Sequence, residues 1–148
     1  MVESNSFLLL QQITTMGLLL LVVLTDIKSR TIPNRALVIL AIVVISATPL
    51  SVSHLAVAAI IMLLGVICFH YRWFGAGDSK LLAICAYGSL EHWHWLILQT
   101  AFVGGVLSLA ILAINHLSGI GFIKTREIKT VPYAVAIAGC AITTIHYV

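Results

Sequence analysis

The chain has little charge. Only 9% of its 148 residues are Asp, Glu, Lys or Arg, against 61% hydrophobic. A soluble domain carries about 25% charged residues. This chain could not cover its own surface in water, and a mean hydropathy of +1.11 places it in a membrane. Cysteine is also scarce: Cys68, Cys85 and Cys140 are far apart, each inside an apolar stretch. With no Cys-x-x-Cys pair, a zinc site or redox motif is not expected, and the thiols read as small buried hydrophobes. A net charge of +3, thinly scattered, is no footprint for nucleic acid. Scarcest of all is aspartate, present only as Asp26 and Asp78.

Hydropathy gives six apolar segments, at about 7–25, 35–49, 53–71, 79–90, 95–115 and 131–147. The expected fold is an all-α integral membrane protein, a six-transmembrane-helix bundle forming one domain over 1–148. Several segments are shorter than the roughly 20 residues of a full span and would need a thinned bilayer. The fourth is the least secure, because Glu91 cuts it short. Met1 to Ser6 carry Glu3 in place of a basic n-region, and no small-residue cleavage site follows, so the first helix is expected to be retained.

All eight Lys and Arg residues lie in or beside the connections after the first, third and fifth segments: Lys28, Arg30, Arg35, Arg72, Lys80, Lys124, Arg126 and Lys129. The positive-inside rule puts these basic loops in the cytoplasm and both termini on the periplasmic side. Asp26 and Asp78 then share the cytoplasmic boundary.

A carboxylate beside a bilayer is costly to keep, so two placed alike suggest a shared task. Asp26 opens the stretch Asp26-Ile27-Lys28-Ser29-Arg30-Thr31-Ile32-Pro33-Asn34. Its helix is expected to end there, since Pro33 forbids continuation, and Asn34 is a natural N-cap for the second helix. Pairing with Lys28 or Arg30 is the plain structural role for Asp26. A helix C-terminus disfavours negative charge, however, which argues that something beyond helix stability keeps it. Asp78 ends Gly75-Ala76-Gly77-Asp78 and precedes Ser79-Lys80, where it is expected to cap the fourth helix. Gly75 and Gly77 allow unusual backbone geometry and close approach of another chain. Two carboxylates meeting there would hold one proton between them and could activate water without a metal.

These residues resemble the type IV prepilin peptidase family of bacterial aspartic proteases. An upstream Asp-x-Lys-x-Arg-x-Ile-Pro-Asn together with Gly-x-Gly-Asp in a polytopic chain is a specific combination, and the short form is most similar to the peptidases of Tad/Flp pili. The resemblance implies a catalytic pair, Asp26 and Asp78, in the bacterial inner membrane with its active site facing the cytoplasm. Its partners would be prepilins or pseudopilins bearing a basic leader ahead of an apolar helix. It implies no cofactor. Gly75, Gly77, Lys80, Pro33 and Asn34 stand as support for the loops or the substrate. Presenilin-like proteases share the Gly-x-Gly-Asp logic but carry Tyr-Asp and Pro-Ala-Leu, where this chain has Thr25-Asp26 and Val131-Pro132-Tyr133-Ala134. The longer prepilin peptidases add a cytoplasmic region, often with Cys-x-x-Cys pairs, and methylate the trimmed pilin. This chain has neither, so the resemblance extends to leader cleavage alone.

The remaining motifs carry less. Lys80 lies two residues after Asp78, so on a helix it points away from it and snorkels to the interface. Glu91-His92-Trp93-His94 lacks the i, i+4 spacing of zinc helices and reads with Trp95 as an aromatic belt, so no metal is expected. Gly104-Gly105 could allow close helix packing. The alternative from another class is a small ion- or proton-coupled transporter subunit. Such proteins place carboxylates near the midplane, often on broken helices, whereas both acids here fall at one boundary.

Overall fold

The computed structural model describes residues 2–72, 74–119, 131, 133–145 and 147, with residues 2–5 and 119 described by backbone alone. The third basic cluster (Lys124, Arg126, Lys129), Pro132 and His146 lie outside the described residues. Those described form six α-helices and one short 3-10 turn, with no strand among them. The helices are α1 (Val2–Ser29), α2 (Asn34–Ala47), α3 (Val52–His70), α4 (Ala76–Gly88), α5 (Trp93–Gly119) and α6 (Tyr133–Thr144), and the turn covers Leu90–His92.

Three stretches are long and apolar enough to cross a bilayer: Ser6–Ser29, Val52–His70 and Leu90–Ser118. α2, α4 and α6 have 14, 13 and 12 residues, shorter than the roughly 20 that cross a hydrocarbon core. The bundle is apolar outside as well as inside. Leu9, Leu20, Leu63, Leu64, Phe102 and Leu109 all face outward and are more than half exposed. In water such a surface would be untenable, and in a bilayer it is the solvated face.

α4 is the hub. It packs against α2, α3, α5 and α6, and more than half of its residues are buried, among them Leu81, Cys85 and Tyr87. Lipid tails are as apolar as leucine, so helices in a bilayer associate through close packing of small residues. Here Ala83, Ala86 and Gly88 of α4 meet a bundle interior that includes Ala134, Ala138 and Ala141 of α6. Gly65 of α3 is the tightest case, since a Cβ there would collide with the Ser79 side chain. Of the two adjacent glycines in α5, Gly104 lies against Tyr133 and Gly105 against open space. The Gly104-Gly105 packing expectation therefore holds at one position.

Boundaries depart from the hydropathy reading at both acids. α1 runs one turn past Asp26 and stops at Arg30, whose φ of 55° is left-handed. α4 starts at Ala76, so Asp78 is its third residue and does not cap it. Asn34 likewise is the first residue of α2, and the cap position falls to Pro33.

Candidate active site

Asp26 sits in the last turn of α1, where its carbonyl accepts the Arg30 N–H at 2.9 Å. The side chain points inward and is 7% exposed. Arg30, the left-handed residue just past the helix end, sets its guanidinium near the carboxyl. From the other side comes the backbone N–H of Ala134, in the first turn of α6, where helical amides have no partner within the helix. The Oδ2 atom of Asp26 is buried without a hydrogen bond. An orphaned carboxylate oxygen is costly, which marks the position as one kept for more than packing.

The Asp78 carboxyl folds back over Gly75. A Cβ on Gly75 would fall 2.6 Å from Asp78 Oδ2, and the Gly75 backbone faces the carboxyl. This is the returning arm of a capping box, in which the third helical residue reaches the cap residue's N–H. Gly75 has an ordinary extended backbone, φ −74° and ψ 140°, so it is required here for space and not for left-handed geometry. Gly77 serves a different contact. A Cβ there would lie 3.1 Å from the Ile32 Cβ, so the missing side chain lets the turn before α2 lie on the first turn of α4.

Both aspartates line one cavity of about 890 Å³, with Arg30, His70, Arg72, Phe74 and Tyr133 among its walls. Asp78 lies close enough to Asp26 for the charge of one carboxyl to act on the other, and the Gly75 backbone faces Asp78. Two carboxyl groups that disfavour each other's ionisation near neutrality can hold one proton between them. Among the described residues, no three His, Cys, Asp or Glu side chains gather as a metal site would need.

The other expected support residues divide. Gly75 lines the cavity, while Asn34 and Lys80 line a separate recess on the α2 side of α4. There Lys80 Nζ donates to Asn34 Oδ1 at 3.1 Å, tying the two motifs together away from the carboxyl groups. Pro33 orders the turn, its carbonyl accepting the N–H groups of Ala36 and Leu37. Sequence reasoning named Arg30 as a partner for Asp26, which it is, but did not place His70, Arg72, Phe74 or Tyr133 at the cavity. Tyr133 arrives only through the docking of α6, where it stacks edge-on with Phe74 at 5.3 Å between ring centres.

Compared with known proteins, the chain finds no match among curated proteins or solved structures. A family model described as the type IV leader peptidase family, however, matches residues 13–146. That span covers nearly the whole chain, both aspartates and every helix that lines the cavity, and the chain belongs to the type IV leader peptidase family.

Proposed function

We propose that this peptidase is an aspartic endopeptidase of the bacterial inner membrane that removes the basic leader of Flp-like type IV prepilins at the cytoplasmic face. The observation that carries the proposal is the meeting of its only two aspartates, from the end of α1 and the start of α4, at one cavity. In this reading all six helices form a single membrane domain with both termini periplasmic, the short ones crossing where the bilayer thins.

The ionised carboxylate takes a proton from a water molecule as its oxygen adds to the scissile carbonyl carbon. The protonated carboxyl donates a hydrogen bond to the developing oxyanion. As the C–N bond breaks, a proton passes to the leaving nitrogen, giving a leader with a free carboxyl end and a pilin with a free amine. The two aspartates then again share one proton. The proximity of Asp78 to Asp26 supports this assignment, because two neighbouring carboxyl groups do not both ionise easily and can share one proton. No metal or cofactor takes part.

Co-expression with a prepilin tests the proposal on a gel. The wild-type chain should shift the substrate to its trimmed size, and Asp26→Asn and Asp78→Asn should each leave it full length while still inserting into the membrane. Trimming by either variant at the wild-type level would refute the assignment.

A further inference from the structure

A second cavity, about 710 Å³, lies between α5 and α6 and is almost wholly apolar. Its α6 wall includes Ala136, Gly139 and Thr143, and its α5 wall includes Gln99 and Phe102. Tyr133, Ala136 and Thr143 are spaced i, i+3 and i+10, which brings them round to one face of α6. Tyr133 belongs to the aspartate cavity and Ala136, one turn further, to the apolar groove. The two hollows therefore follow one another along α6, together extending about 15 Å from Tyr133 to Thr143 at helical rise. Tyr133 stands at the junction, sharing a hydrogen bond with Ser108 at 3.3 Å and accommodated by Gly104.

We infer that this groove seats the apolar helix of the substrate that follows the scissile bond; the inference rests on the endopeptidase reading above. A chain whose peptide bond reaches the two carboxyl groups and then enters the bilayer has the α6 face as a continuous path. Small residues on the groove wall let a helix backbone come close, which is how helices associate where no hydrophobic force separates them from lipid. Gly139 leaves that wall open, since an added Cβ would meet nothing within 4 Å. Continuity with the aspartate cavity along α6 distinguishes this occupant from an acyl chain, which has no peptide bond to present to the carboxyl groups.

The groove can be filled without disturbing the fold, because Gly139→Leu and Gly139→Phe project into open space. Purified full-length protein in proteoliposomes is given two substrates with the same leader: a prepilin with its apolar helix, and a peptide ending a few residues past the scissile bond. For each variant, the ratio of kcat/KM for the helix-bearing substrate to that for the short peptide should fall on the order of tenfold, the contribution of about two buried methylenes. An unchanged ratio in both variants would overturn the groove and leave the endopeptidase standing. Wild-type protein that cuts neither substrate would overturn the endopeptidase and the groove with it. A photo-crosslinker at Thr143 should mark the apolar helix of the prepilin. Crosslinks only to lipid, or only to a second copy of the peptidase, would overturn the inference.

Discussion

The carboxyl of Asp78 lies over the α-carbon of Gly75, leaving no space for a side chain between them: a Cβ on Gly75 would sit 2.6 Å from Oδ2. The glycine in this motif is thus fixed by the position of the acid three residues later. Gly75→Ala should displace the Asp78 carboxyl while the rest of α4, anchored by Leu81 and Cys85, stays packed. Misplacing a reacting group by about 1 Å costs on the order of 100-fold in rate. Leader cleavage by Gly75→Ala should fall by about that factor with thermal stability little changed. Gly105→Ala, where a Cβ meets nothing within 4 Å, should cleave as wild type does.

The aspartates can be titrated individually. Because Asp26 and Asp78 are the only two, protein labelled with carbon-13 aspartate gives two carboxyl resonances. Asp26→Asn should move the midpoint of the Asp78 resonance down by removing the neighbouring charge. A midpoint unmoved by Asp26→Asn would mean that the two groups do not interact.

Gly65 offers a packing test away from the carboxyl groups. A Cβ there collides with Ser79, the residue after Asp78. Gly65→Val should force α3 and α4 apart and destabilise the protein by about 1–3 kcal/mol, the usual cost of overpacking. The check is thermal unfolding in detergent.

Lys80 should prove dispensable for chemistry. Its ammonium group donates to Asn34 at an exposed site outside the aspartate cavity. Exposed contacts of this kind contribute about 0–1 kcal/mol. Lys80→Met and Asn34→Ala should each cleave a prepilin within a few-fold of wild type, read as initial rates on the purified protein.

The sequence made the helices legible because hydropathy dominates a chain with so few charges, and each expected apolar segment coincides with a helix. The ends were harder to read. Asp78 was expected at the cap, yet the helix begins two residues earlier, because Gly75 supplies an extended cap residue and the acid serves from inside the first turn. Arg30 ends α1 in a left-handed conformation that non-glycine residues seldom adopt, so hydropathy placed that end a turn too early. At the site, the two acids and the Gly-x-Gly turn stood out by rarity and order. The walls of the cavity did not, because Phe74, His70 and Tyr133 come together only when α3, α4 and α6 pack. No local pattern encodes that meeting.

The central claim is that Asp26 and Asp78 act as one catalytic unit, and the most direct measurement is the cleavage rate of a purified prepilin by Asp26→Asn, Asp78→Asn and the double variant, reconstituted side by side. General acid and base catalysis contributes about 10²–10⁴-fold, and residues that act together are not additive. Each single variant should lose at least about 100-fold, and the double variant should be no slower than the slower single one. Near-wild-type cleavage by either single variant, or losses that multiply in the double, would contradict the account.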